Sequence, residues 1–163
     1  MQCSVHAPTP FIQKHGHLLL PDWSCSVTSL LIVQQQASCN LLERTHLSEI
    51  QKAKLRGQFL EIGGEIANHL HQHGYAADFF DPKTGQPVLS QRGVLWLDDV
   101  AVVRACLNYP VQCVQGCSVL LHPEWGTAVY PSILLSSATT EILEKITAAI
   151  ASRAAQPTAL HSI

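Results

Sequence analysis

Residues 48–81, SEIQKAKLRGQFLEIGGEIANHLHQHGYAADFFD, decide the fold class. Leu55, Phe59, Ile62, Ile66 and Leu70 advance in steps of four, three, four and four, which puts them on one stripe of an α-helix. Lys52, Lys54, Arg56, Gln58 and Glu65 fall on the opposite face. The spacing predicts a helix over 48–73, closed by Gly74, where a left-handed residue costs least. Beyond Gly74 the helical period stops. YAADFFD (75–81) reads as a strand, and DPKTG (81–85) as a turn in which Pro82 fixes φ and Gly85 is free to go left-handed. Gly63-Gly64 inside the helix costs about 2 kcal/mol relative to alanine. Such a pair predicts close approach by a neighbouring element.

Outward from this core, SVTSLLIVQQQ (26–36) is β-branched and apolar enough for a buried strand. GVLWL (93–97) reads as a short strand, and DDVAVVRACL (98–107) as a short helix capped by Asp98 or Asp99. CSVLLH (117–122) and TAVYPSILLS (127–136) are expected to form a hairpin around PEWG (123–126). A last helix runs over 140–154, with Ile142, Leu143, Ile146, Ala149 and Ile150 on one face. Residues 1–25 are expected to be an irregular or edge segment wrapping a single domain over 26–154, and 155–163 a flexible tail. The order strand, helix, several strands, helix gives an α+β fold with a largely antiparallel sheet.

The chain has 163 residues, of which 47% are apolar and only 13% charged, where about 25% charged is usual. A surface this poor in charge predicts apolar area covered by a partner, as in a homodimer or a docking face. The net charge is −2 and no Lys/Arg block occurs, so nucleic-acid binding has no electrostatic support. No apolar run approaches a membrane span, and the first residues lack the basic-then-apolar pattern of a secretory signal. The six cysteines, at 3, 25, 39, 106, 113 and 117, follow no disulfide framework and are expected to be reduced thiols in a cytoplasm.

Chemistry-bearing residues concentrate in CVQGCSVLLHPEWGTAVYPS (113–132). Cys113, Cys117 and His122 could join one further ligand around zinc, but the cysteines lack the usual CxxC spacing. If 117–122 is a strand, Cys117 and His122 also face opposite sides, which argues equally against a cysteine nucleophile with His122 as base. His69 and His73 are one helical turn apart, yet they sit where the helix dipole favours basic side chains and have no third ligand nearby. No phosphate loop, nucleophile elbow or HExxH is present. Trp125 and Gly126 are expected to shape a turn over the core. Asp78 and Asp81 are expected to close the DPKTG turn, and His122 to bond a neighbouring turn or Asp78.

Two stretches, GYAADFFDPKTG (74–85) and GCSVLLHPEWGTAVYPSILLSSAT (116–139), resemble the methylmalonic aciduria and homocystinuria type D proteins, a cobalamin-trafficking family, in a short, bacterial-type form. The family carries a Gly-Tyr-x-Ala-Asp-Phe-x-Asp-Pro-x-x-Gly segment, then a Gly-Cys-Cys stretch shortly before His-x-x-Trp-Gly-Thr. The resemblance covers roughly residues 26–150. It implies a nitroreductase-like α+β sandwich without flavin. It also implies a non-enzymatic role in steering vitamin B12 between a processing chaperone and cobalamin-dependent enzymes. In the family a cysteine of the Gly-Cys-Cys stretch gives its thiolate to cobalt. Here the stretch is Gly116-Cys117-Ser118, with one thiol missing. Anchoring on Gly-Cys makes Cys117 the cobalt ligand, with a one-residue deletion before His122. Anchoring on His122 and Trp125 sets Gly116 against the first family cysteine and Cys117 against the second. Both alignments leave Cys117 as the candidate, with Cys113 as the alternative thiol.

The corrin ring fills four equatorial positions of cobalt, so a protein adds ligands only along the axis, and one soft thiolate suffices. That thiol must be accessible and deprotonated. Gly116 beside it would let a bulky macrocycle approach the backbone. Two rival readings remain. A flavin-dependent nitroreductase-like reductase needs a basic phosphate-binding segment, and Arg44, Lys52, Lys54, Arg56 and Arg92 are scattered. A dimeric scaffold with inert thiols needs no site at all.

Overall fold

The computed structural model describes residues 1–114 and 116–154. In chain order the elements are β1 (Gln2–His6), α1 (Pro10–Leu19), β2 (Ser29–Gln36), α2 (His46–Gln72), β3 (Ala77–Asp81), β4 (Gln86–Pro87), α3 (Asp99–Leu107), β5 (Val111–Val114), β6 (Cys117–Leu120), β7 (Val129–Ser136) and α4 (Thr140–Ala154). Five strands form one sheet in the order β1-β2-β7-β3-β4, and every pairing in it is antiparallel. Among the described residues β5 and β6 pair only with each other.

The sheet is covered on both faces, which is why β2 reads as an unbroken apolar run rather than an alternating one. Leu30 and Ile32 of β2, Ile133 and Leu135 of β7 and Phe80 of β3 pack with Ile12 and Leu19 of α1 and with Val102 and Val103 of α3. Their neighbours Leu31, Val33, Leu134 and Phe79 turn the other way, against Phe59, Ile66 and Leu70 of α2 and Leu143 and Ile150 of α4. The fold is therefore α+β, a sheet between two helical layers. The Gly63-Gly64 pair lies where α2 crosses β3. A Cβ on Gly63 would stand 3.0 Å from Cγ of Phe79. Gly74 has φ +81° and Gly85 φ +65°, as their turns require. Among the described residues no helix is long and apolar enough to cross a membrane.

Four details differ from the sequence reading. Residues 1–25, expected as an irregular or edge segment, carry an edge strand and also a helix. α1 is capped by Thr9, whose hydroxyl accepts from the Ile12 N–H at 3.3 Å, with Pro10 in the first turn. α2 starts earlier than 48, because Thr45 and Ser48 exchange side-chain-to-backbone hydrogen bonds at 3.1 and 2.9 Å in a capping box. Residues 93–97 are not a strand. They form a strap with isolated bonds, Leu95 N–H to the Leu18 carbonyl (3.2 Å) and Leu97 N–H to the Gly85 carbonyl (2.8 Å). Gly93 is held so close to the Leu18 carbonyl that a side chain there would collide with it. Finally, 117–122 and 127–136 do not form a hairpin around PEWG. β6 turns back on β5, while β7 crosses to lie between β2 and β3. The expected tail, 155–163, lies outside the described residues.

Candidate functional site

The Gly116-Cys117-Ser118 stretch belongs to the β5–β6 hairpin. Cys117 opens β6 and its Cα pairs with that of Val114, while Cys113 pairs with Ser118. Gly116 is exposed, adopts φ +79°, and has open space where a side chain would be. Cys113 is exposed, and its Sγ lies 3.4 Å from Oγ of Ser118. The other end of the hairpin is anchored. Leu120 is buried, Val111 and Tyr109 pack on the same apolar cluster, and the Leu121 N–H bonds the Pro110 carbonyl at 2.8 Å. A fixed base thus carries an outer end, exposed at Cys113, Gly116 and Ser118, that stands outside the five-stranded sheet.

His122 follows β6 and locks the next turn. Its backbone exchanges two hydrogen bonds with Gly126 (2.8 and 2.9 Å), which takes φ +55°. Nδ1 of His122 accepts from the N–H groups of Glu124 (3.1 Å) and Trp125 (3.2 Å). The ring proton is therefore on Nε2, which donates to Oε1 of Gln2 at 3.1 Å. Trp125 stacks on the imidazole with centroids 4.1 Å apart and planes 11° from parallel, and Tyr109 meets it edge-on at 5.5 Å. Burial lowers the His122 pKa, with Glu124 opposing in part. With Nδ1 accepting inside its own turn and Nε2 donating to Gln2, the imidazole has no lone pair left for a metal.

The other candidates lie elsewhere. Asp78 is buried in β3 and its carboxylate accepts from the N–H groups of Val88 (3.1 Å), Leu89 (3.0 Å) and Ser90 (2.6 Å), fixing the loop after β4. Asp81 accepts two bonds from Arg56, each 2.6 Å, and one from the Lys83 N–H at 3.0 Å. The Arg56 hydrogen bond is the main cause of its lowered pKa. His73 donates Nδ1–H to the His69 carbonyl at 2.7 Å, and His69 Nε2 lies 3.3 Å from the Arg153 guanidinium. Among the described residues no cluster of three or more His, Cys, Asp or Glu side chains is placed to hold a metal. Gln2, the distal partner of His122, escaped the sequence reading. It is 120 positions away, and glutamine at an N-terminus carries no signal.

A family model described as methylmalonic aciduria and homocystinuria type D protein matches residues 1–147. The chain belongs to that family. The match also takes in the first 25 residues, which the sequence resemblance had left out. Among curated proteins, the human cobalamin trafficking protein CblD is 24% identical over 148 residues, covering 90% of this chain and 50% of the human one. The rat protein of the same name is 24% identical over 141 residues, covering 86% and 48%. The chain thus spans about half the length of these family relatives. A shorter match joins 81 residues, 49% of the chain, at 30% identity to the alpha-crystallin B chain of Aquarana catesbeiana.

Proposed function

We propose that this chain is a non-enzymatic cobalamin-trafficking protein that carries or steers vitamin B12 as cargo, with the Cys117 thiolate as axial ligand to cobalt. One observation carries the reading: Gly116 and Ser118, on either side of Cys117, are exposed on a hairpin outside the five-stranded sheet, with open space over Gly116. A corrin ring is broad and can be engaged by a protein thiolate only along its axis, so such a ligand must sit where the surroundings fall away. A small tip on an anchored base meets that need. The family relatives bear the name of cobalamin trafficking proteins, which supports the cargo. A nitroreductase-like fold and a reducing, cytoplasmic setting that keeps the thiol free fit the same reading. The recipient or donor would be a cobalamin-processing chaperone or a cobalamin-dependent enzyme. The charge-poor surface, with Phe11, Val94 and Trp96 exposed, supports a docking face for such a protein or for a second copy.

The test is the visible absorption spectrum of the purified, reduced protein with cobalamin, including the Co(II) form followed by air. Wild type, Cys117→Ser and Cys113→Ser are compared. A spectral shift that survives gel filtration and is lost only in Cys117→Ser supports direct ligation. Loss only in Cys113→Ser transfers the role to the alternative thiol. An unchanged spectrum in all three proteins sinks ligation by this chain alone, and a yellow, flavin-loaded preparation would favour the reductase reading instead.

A further inference from the structure

A cavity of about 420 Å³ opens at the N-terminal end of α3, lined by Asp98, Asp99, Lys83, Tyr130, Pro131 and Trp96. No described residue of the β5–β6 hairpin lines it. Asp99 is only 9% exposed, and its Oδ1 is buried with no hydrogen-bond partner. A buried carboxyl oxygen without a partner is costly, so an unsatisfied carboxyl on a residue that lines a cavity points to a ligand that brings the donor.

The surrounding charges define that ligand. From the turn after β3 come Asp81 and Lys83, from α2 Arg56, from β7 Tyr130, and from α3 Asp98. Arg56 is already committed to Asp81 through its two 2.6 Å bonds. Lys83 is exposed on the rim. Burial, then the carboxylates of Asp98 and Asp81, hold Asp99 well above the ordinary carboxylate range. The helix dipole contributes about half a positive charge at this end, too little to neutralise two adjacent carboxylates. Trp96, 66% exposed, adds an indole at the mouth. A carboxylate in need of a donor beside an aromatic ring is the combination that recognises an organic cation.

We propose that this cavity binds an alkylammonium or alkylguanidinium group, held by the Asp99 carboxylate and covered by the Trp96 indole. The group comes from a basic side chain of a partner protein or from a free diamine-type metabolite, and the two sources are separable. Lys83 competes for the same carboxylates from the rim. Seating a cation ionises Asp99, so binding releases a proton. Affinity rises with pH through the elevated titration of Asp99 and levels off above it.

The experiment is calorimetric titration of the whole chain at low salt with agmatine, with a short arginine-bearing peptide, and with the uncharged alkylurea as control. Buffers of different ionisation enthalpy read the proton released, and Trp96 fluorescence provides a second signal. Saturable binding near the millimolar range is expected. It should weaken about tenfold or more in Asp99→Asn, weaken in Trp96→Leu, and tighten in Lys83→Met, with circular dichroism checking that each variant folds. Peptide binding without agmatine binding supports the site and assigns the cation to a protein side chain. Agmatine binding as tight as the peptide's assigns it to a free cation. Binding of neither probe, or equal affinity in wild type and Asp99→Asn, overturns the proposal. Neither result bears on cobalamin ligation, which is read from the Cys117 variants.

Discussion

Gly63 and Gly64 are neighbours in sequence with opposite consequences. The Cβ of Gly63→Ala would meet Cβ, Cγ and Cδ2 of Phe79 at 3.0–3.1 Å, and Phe79 is itself buried edge-on against Phe59. The ring has no room to retreat, so the variant should lose about 1–3 kcal/mol in urea unfolding. At Gly64 the nearest Phe79 atom would be 3.8 Å away, an ordinary contact. Gly64→Ala should therefore gain up to about 1 kcal/mol from helix propensity. A matched loss or gain at both positions would show that Phe79 does not set the difference. His122 makes a prediction of a second kind. Removing its Nδ1 leaves two turn N–H groups without an acceptor, so His122→Ala should cost about 1–3 kcal/mol. His122→Asn, whose amide oxygen falls near the position of Nδ1, should cost less. Because the folded pKa of His122 lies below the ordinary 6.5, the unfolded chain takes up its proton first as pH falls. The stability contributed by the neutral ring is complete above pH 6.5 and is lost as pH falls from there through the depressed folded value. The drop in denaturation midpoint between pH 7.5 and pH 5 should therefore be smaller in His122→Asn than in wild type.

At the scale of elements, the β5–β6 hairpin has one strand on each side of its turn and, among the described residues, no third strand. Two-stranded ribbons are marginal, whereas β2 and β7 are paired on both edges and covered on both faces. Amide exchange followed by mass spectrometry should therefore be faster in Val111–Val114 and Cys117–Leu120 than in Ser29–Gln36. Under the proposed function, added cobalamin should slow exchange in the hairpin and leave β2 unchanged. Slowing spread evenly over the chain would point to general stabilisation instead. The same contrast explains what the sequence disclosed. α2, α3, α4, β2 and β3 were legible because each carries its own period or cap, such as the Leu55–Leu70 stripe or Asp98 before α3. The partner of β6 was not. Pro123 and Gly126 are strong turn residues, so they invited a hairpin with β7, yet the turn they make is only the His122–Gly126 bridge. Pairing depends on which edges remain open, and β2 and β3 claim both edges of β7. In the candidate site, Gly116 and Cys117 stood out by type, whereas Asp99, in the cavity beside α3, looked like a helix cap until its missing donor could be seen.

At the scale of the molecule, the sheet is the layer shared by the two large apolar clusters. Adjacent residues of β2 serve opposite sides, with Leu31 facing α2 and α4 and Ile32 facing α1 and α3. If the central strands couple the layers, either face should be able to unfold the whole. Leu31→Ala and Ile32→Ala should each cost about 2–5 kcal/mol, a large part of a stability usually near 5–15 kcal/mol. The two layers also carry separate probes. Trp23 and Trp125 pack on the α1/α3 side, and Trp96 lines the cavity beside α3, so tryptophan fluorescence reports that layer. Helical circular dichroism is dominated by the 27 residues of α2 and the 15 of α4 on the other side. Urea transitions followed by the two signals should coincide in wild type and move together in both variants. If Ile32→Ala shifts the fluorescence transition and leaves the dichroism transition in place, the layers unfold separately. The hairpin and the α3 cavity, both on the α1/α3 side, would then sit on a layer able to loosen without the rest.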